Sequence, residues 1–448
     1  MKLKSMYLAL IVALIFSGCG NPELEIVTSI PVKNATIQID SVDVYVDCSG
    51  SMKGYVTFLD KDVEEADPSF LKNVPKFIIN LEQFIENVAV SIYKVKNGAM
   101  VKEPSIDAFI TGLRLDRQFF SGNTTELPEM ITNIVKNQGK NSDKLSVLIT
   151  DGVLSFGLSE LRRDSMHNLR NMAELEHRIH LALSKDTTLS MAIVKYLSNF
   201  NGDYYYNCKE QVKYSKKLLA NRPFYLFVIG KKELVSSFLS RENLLPQSEG
   251  VYTVSSPVEL EVALFKKKNE QVEGTVNSDL RVTANRGTII PYYEKDDDKV
   301  FIVGIKKSSV PRAYYTDEET FFADLKCDDK NVLPIKKLSN AADADGVDEN
   351  EKLNNPNKVQ DYDYFYKITI DKKMFDNDVS NKVLTFYFEP SLDIAASHTD
   401  KDYGLEDISE LEHKTWGLGL ISGGIESANA GKKPQGAIFT LTLNKIEK

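Results

Sequence analysis

From Thr36 apolar residues recur at every second position, first Ile37 and Ile39, then Val42, Val44 and Val46. A period of two predicts a strand, and Asp47 ends it. Asp67-Pro68 has the form of an N-cap followed by proline at the first helical position. Phe70, Leu71, Val74, Phe77, Ile78, Leu81, Phe84 and Ile85 then keep a helical period, with Pro75 as a kink or a second start. Val88–Val95 reads as a strand and Asn97-Gly98 as a hairpin turn, because both residues tolerate positive φ. The return strand is expected over Pro104–Leu113. Leu127, Met130, Ile131 and Ile134 mark a helix face, and the apolar run from Leu145 to Thr150 marks a strand covered on both sides.

Residues 155–222 predict a helix from about Leu169 to Leu183, a strand from Ser190 to Phe200, and a turn at Asn201-Gly202-Asp203. An aromatic return strand of Tyr204, Tyr205 and Tyr206 makes this an inserted hairpin, its tyrosines either packed on the sheet edge or offered to a partner. Pro223–Gly230 reads as a buried strand, Lys232 to about Arg241 as a helix, Gly250–Val254 as a short strand and Pro257–Phe265 as a last helix. From residue 275 the texture is strand after strand: Leu280–Ala284, Val300–Ile305, Tyr364–Ile370, Val383–Phe388, Gly417–Ile421 and Ala437–Leu443. Polar turn clusters separate them, which predicts a β-rich, sandwich-type region over 275–448.

At 448 residues two globular units are expected. The chain opens with a basic Met1-Lys2-Leu3-Lys4, an apolar run from Met6 to Phe16, and Phe16-Ser17-Gly18-Cys19. An apolar run of about 11 residues is too short for a membrane span and reads as a signal segment. Small residues before Cys19 resemble the lipobox of bacterial lipoproteins, although Phe16 stands where leucine is commoner. The resemblance implies cleavage of 1–18 and lipidation of Cys19, a tether over 19–37, and a place in the cell envelope at the outer membrane, on either face. Loss of Lys2 and Lys4 takes the formal charge from −9 to −11, which argues against a nucleic-acid partner. No later run is apolar enough to span a bilayer.

The candidate chemistry is Asp47-Cys48-Ser49-Gly50-Ser51, directly after the first strand. Oxygen side chains spaced by two on a turn can face one small volume, and a hard cation such as magnesium prefers such ligands. The loop resembles the metal-ion-dependent adhesion site of von Willebrand factor A (vWA) domains. Ser121-Gly122-Asn123-Thr124-Thr125-Glu126-Leu127 is similar to that family's threonine loop, and Thr150-Asp151-Gly152 to its second aspartate. The resemblance covers about 38–268, with insertions near 55–67 and 155–222. It implies a Rossmann-like α/β fold: a doubly wound, mostly parallel sheet with one antiparallel edge strand. It also implies a metal held by Asp47, Ser49, Ser51, Asp151 and Thr125, or Thr124 in place of Thr125. Magnesium is the expected ion, with manganese or calcium as alternatives. The open coordination position of such a site takes an Asp or Glu from a protein partner.

Binding or adhesion is therefore the expected function, with an envelope scaffold as the alternative and a metal-dependent hydrolase as the less favoured one. No Gly-x-Ser-x-Gly elbow surrounds Ser49 or Ser51, and no phosphate-cradling Gly-rich loop carries a lysine. No catalytic residue is assigned. His177 and His180 share a helix face but lack a third ligand. Asp343-Ala344-Asp345-Gly346 lacks the next oxygen ligand of a calcium loop, because Val347 stands there. Cys208 and Cys327 are far apart in the chain, and their spacing does not specify a disulfide.

Overall fold

The alternating segment before Asp47 is strand β1, Ser41–Asp47, with six of its seven residues buried. A strand buried on both faces belongs in the centre of a sheet. β1 lies between β2 (Ala89–Lys96) and β4 (Lys144–Thr150) and is parallel to both. The computed structural model describes residues 37–57, 69–115, 118–122, 127–138, 143–153, 165–205, 215–265, 280–284, 287–289, 292–293, 299–315, 317–339, 359–375, 381–400 and 411–445.

β3 (Ala99–Lys102), β5 (Leu189–Tyr205), β6 (Ser215–Lys231) and β7 (Gly250–Tyr252) complete a seven-stranded sheet of order β3-β2-β1-β4-β6-β5-β7. β1, β2, β4 and β5 run one way. β3 is the expected antiparallel edge, but β6 and β7 also run against the majority, so the sheet is mixed. The reason is connectivity. The crossover after β4 places β5 two positions away, and β6, next in the chain, fills the slot between them and pairs antiparallel with both.

Among the described residues, three helices cover each face. α1 (Ser69–Phe84), α2 (Ile106–Leu115) and α5 (Lys232–Leu239) pack on one core with Val42, Val44, Val46, Leu145 and Val147. α1 runs unbroken through Pro75. α3 (Leu127–Gln138), α4 (Ser165–Ser184) and α6 (Leu418–Ala428) pack on the other with Tyr45, Leu148, Ile193 and Phe227. The structure thus shows an α/β unit of Rossmann-like layering. α6 lies close on α4, because a Cβ on Gly424 would fall 2.8 Å from the Ile179 side chain.

Several expected elements differ. The return strand is only β3, after an Asn97-Gly98 turn with φ of 49° and 77°. Residues 106–115 are helical: Ser105 Oγ accepts the Ala108 N–H at 3.1 Å, and Phe109 and Leu113 share one face. The supposed turn at 201–203 lies inside the unbroken β5, where Asn201 pairs with Leu219 and Gly202 with Leu218. The supposed helix over 257–265 is two strands, β8 (Val258–Glu259) and β9 (Val262–Phe265), in which Val258, Leu260, Val262 and Leu264 are buried with a period of two. Gly417–Ile421 is no strand: Gly417, at φ 85°, caps α6.

The remaining strands are β10 (Leu280–Ala284), β11 (Gly287–Ile289), β12 (Tyr292–Tyr293), β13 (Lys299–Ile305), β14 (Lys326–Cys327), β15 (Lys336–Leu338), β16 (Tyr364–Ile370), β17 (Asn381–Phe388), β18 (His398–Thr399), β19 (Thr415–Trp416) and β20 (Ala437–Lys445). One sheet has the order β11-β10-β20-β17-β14 with β8 beside β20; another has β12-β13-β16-β15 with β9 beside β13. Leu384, Phe386, Phe439 and Leu441 of the first share a core with Val303, Ile305, Tyr366 and Ile368 of the second. Between β17 and β20 the chain crosses to the α/β unit. Leu392 meets Gly250, β18 and β19 pair with each other, and α6 docks on α4 before the return.

Candidate metal centre

β1 and β4 are parallel neighbours, so their carboxyl ends open on the same edge, the place where open α/β sheets bind ligands. Asp47 ends β1, and Asp151 follows the last residue of β4. Both are buried, at 2% and 3% exposure. Asp47 Oδ1 accepts the Ser49 N–H at 2.9 Å, and Oδ2 accepts the Thr150 hydroxyl at 2.9 Å. The loop then tightens into a two-turn 3-10 helix, Gly50–Tyr55, which carries Ser51. Ser49 Oγ lies 3.0 Å from Ser51 Oγ, and the Ser51 side chain hydrogen-bonds Asp151. Ser49, Ser51 and Asp151 therefore form a linked set beside Asp47.

Two glycines make this geometry possible. Gly122 docks its backbone on the loop: its N–H donates to Cys48 O at 2.9 Å, and its carbonyl accepts the Gly50 N–H at 2.8 Å. A Cβ on Gly122 would fall 3.0 Å from Cys48 O. Gly152 turns the chain with φ of 68°, a conformation that favours glycine. The Val153 N–H thereby reaches Asp151 Oδ1 at 3.1 Å.

Burial pushes the Asp151 carboxyl up to about 6, with the negative charge of Asp47 as the second cause. Hydrogen bonds from Ser51 and Val153 and the charge of Arg222 act the other way. Two close, buried carboxylates flanked by hydroxyls make a hard-oxygen donor set, and a divalent cation would relieve their repulsion. The residues present therefore fit such an ion. Among the described residues no three His, Cys, Asp or Glu side chains gather into a metal-holding group, and the loop's set relies instead on two carboxylates plus hydroxyls. Cys48 is no ligand: its thiol is fully buried, points to Val46 O at 3.4 Å, and is raised in pKa by burial first and Asp47 second.

The other expected residues separate. Thr124, Thr125, Cys19 and Tyr206 lie outside the described residues, as do residues 58–67 of the expected insertion over 55–67, the 340–355 loop and Cys208. Cys327 carries a free thiol. Tyr204 is corrected as a partner contact: it is buried, with the Arg222 guanidinium 4.9 Å over its ring. Tyr205 is 43% exposed, and its hydroxyl lies 3.8 Å from the Cβ position of Gly50, at the rim of the loop. His177 and His180 stack at 6.3 Å on α4. Among the described residues no helix is long and apolar enough to cross a membrane.

The structure adds a wall that the motifs did not announce. β4 pairs with β6 only as far as Tyr225, so the β5–β6 ribbon continues beyond the sheet by ten residue pairs, roughly 30 Å. This arm lies over the 3-10 helix. Tyr55 packs edge-on against Phe200 and donates its hydroxyl to Pro223 O at 2.5 Å. Gly202 approaches so closely that a Cβ there would fall 2.6 Å from Gly54 Cα. At the base of the arm Arg222, 1% exposed, donates to the carbonyls of Leu411 and, at 2.9 Å, Lys414. The Tyr225 ring packs under Gly152, and its hydroxyl donates to Thr415 Oγ1 at 3.0 Å. Lys195 Nζ donates to Ser397 Oγ at 2.9 Å and His413 O at 3.0 Å. Thr150 could have been read from its place in Thr-Asp-Gly. Arg222, Tyr225 and Thr415 carry no local signal, because their partners lie up to 192 residues away.

Compared with protein-family models and with curated proteins, the chain matches none.

Proposed function

We propose that this chain is a lipid-anchored recognition protein of the cell envelope whose N-terminal unit is a vWA-type domain. Its loop would hold a divalent cation, magnesium first, and receive an Asp or Glu from a protein partner. The observation that carries this reading is the linked set Ser49–Ser51–Asp151 beside buried Asp47 at the carboxyl edge of two parallel strands. Ser49 and Ser51 are suited to bind the ion directly. Both Asp47 oxygens already accept hydrogen bonds, which suits a role through water. Thr125, or Thr124, would supply the remaining hydroxyl. Hydroxyl ligands leave the ion short of negative charge, and an incoming carboxylate in a partly desolvated cleft makes up the deficit. The β-rich sheets then serve as a spacer or a second surface, and Cys19 carries the lipid. No catalytic step is part of this reading.

Titration calorimetry tests it. Wild type is expected to bind magnesium, whereas Asp47→Ala and Asp151→Ala lose at least about a hundredfold in affinity and keep a cooperative thermal transition. Capture from envelope extract with residues 20–448 should yield a partner in magnesium and none in chelator. Wild-type protein that binds no magnesium would sink the proposal. Magnesium binding with equal capture in both conditions would favour the scaffold reading.

A further inference from the structure

The candidate metal centre contains two carboxylates, Asp47 on its loop and Asp151 at the end of β4, and the wall beside it contains a buried cation that no motif predicts. Arg222 is at 1% exposure, and its guanidinium donates to the backbone carbonyls of Leu411 and Lys414 and lies over the Tyr204 ring. Its position relative to the loop follows from contacts on both sides. The Lys414 carbonyl belongs to the peptide of Thr415, whose methyl lies 3.6 Å from the Cβ position of Gly152, next to Asp151. Pro223, the next residue after Arg222, accepts the hydroxyl of Tyr55 at the end of the Ser51 turn. The charges of both Arg222 and Asp151 act on the hydroxyls of Tyr55 and Tyr225, and the charge of Arg222 acts on Asp151 itself. Lys195, which donates to Ser397 Oγ and His413 O, is acted on by the charges of Glu249, Arg222 and Asp393.

A fixed charge in a low-dielectric setting acts over distance, because little water screens it. By formal count Asp47 and Asp151 match one divalent cation, even though the hydroxyls suited to touch the ion bring it no charge. With the Arg222 guanidinium counted, the loaded centre keeps one positive charge, which a single carboxylate balances. We propose that Arg222 is the charge-setting residue of this centre: it lowers the centre's affinity for the cation and raises the loaded centre's preference for an anionic ligand over a neutral one. The inference rests on the metal-dependent reading above. It deepens that reading by assigning the partner's chemistry, a monoanionic carboxylate, to a residue outside the motif. Arg222 is thus a specificity-determining residue that acts on the ligand through the field, without touching it.

The test uses the full chain and two readouts, magnesium affinity and discrimination at saturating magnesium between two short peptides that differ only in one Asp or Asn. Arg222→Gln is expected to tighten magnesium binding three- to tenfold and to lower the Asp-over-Asn ratio by a similar factor, on the order of what one buried unit charge shifts. Arg222→Lys keeps the charge but loses the planar fork, so it should leave both readouts within about twofold of wild type. Opposite movement of the two affinities in the Gln variant separates this role from simple loosening of the 411–414 segment, which would weaken both. The inference is overturned if Arg222→Gln weakens both, changes neither, or is matched by Arg222→Lys. If wild type binds magnesium but no acidic peptide, the inference fails and the metal site survives. If wild type binds no magnesium, the functional reading fails with it.

Discussion

The two sides of the candidate centre are built in different ways. The Asp47–Ser51 turn and the Thr150–Gly152 strand end are short segments placed side by side by parallel pairing of β1 and β4. The opposite wall consists of the β5–β6 arm and residues 411–416, held by contacts such as Tyr225–Thr415 across 190 residues of sequence. The first side carries the candidate ligand oxygens, and the second supplies burial, charge and rigidity. A donor set can thus be local in sequence while the environment that tunes it is not.

The most direct way to break this comparison is to lift the arm off the loop. Gly202→Ala puts a Cβ 2.6 Å from Gly54 Cα, where backbone on both sides leaves little room to relax. Overpacking of this kind costs about 1–3 kcal/mol, which a denaturant titration would read. An unchanged midpoint would mean that the arm is not pressed on the turn.

Proton competition at Asp151 has a somewhat smaller expected effect. Its carboxyl is raised from 3.8 to about 6. The folded chain therefore keeps a proton that the unfolded chain has released. By linkage, metal-free stability is fully present below 3.8 and falls as pH rises toward 6. Magnesium would take the place of that proton. Its affinity should be about tenfold weaker at pH 5 than at pH 7, and its stabilising effect in thermal melts should grow over the same window. A pH-independent affinity would detach Asp151 from the ion.

The smallest effect sharpens the role of the distant segment. Thr415→Val removes the acceptor for the buried Tyr225 hydroxyl and should cost about 1 kcal/mol. Amide exchange at 411–416 should quicken while exchange in β1 does not, and equal quickening in both would show that the two sides form one cooperative unit.

Much of the α/β unit was legible because its signals are local. Val42, Val44 and Val46 mark β1, the run from Leu145 marks β4, and Leu127 with Met130, Ile131 and Ile134 marks the buried face of α3. Misreadings arose where two periods overlap or where tertiary pairing decides. Ile106, Phe109, Ile110 and Leu113 fit a helix once Ser105 is recognised as its cap. Val258, Leu260, Val262 and Leu264 alternate as strands do, yet they lie where a closing helix was expected. The reversed direction of β6 leaves no mark in composition, since a strand covered on both faces looks the same either way. Of the candidate site, Asp47, Ser49 and Ser51 stand out by their spacing of two, and Asp151 only through the resemblance of Thr150-Asp151-Gly152 to a family motif. Arg222 does not, because a lone arginine before a proline has no pattern until its carbonyl partners at 411 and 414 are folded against it.

Helix α6 has a consequence for how the chain is made. It completes the second face of the N-terminal sheet, yet it begins at Leu418, long after that sheet's last strand ends at Tyr252. During synthesis Leu175, Ile179, Tyr225 and Phe227 must wait for Leu418, Ile421 and Ile425 to emerge. For that interval the nascent chain presents an uncovered apolar surface, and it stays vulnerable to aggregation until Leu418–Ala428 has emerged.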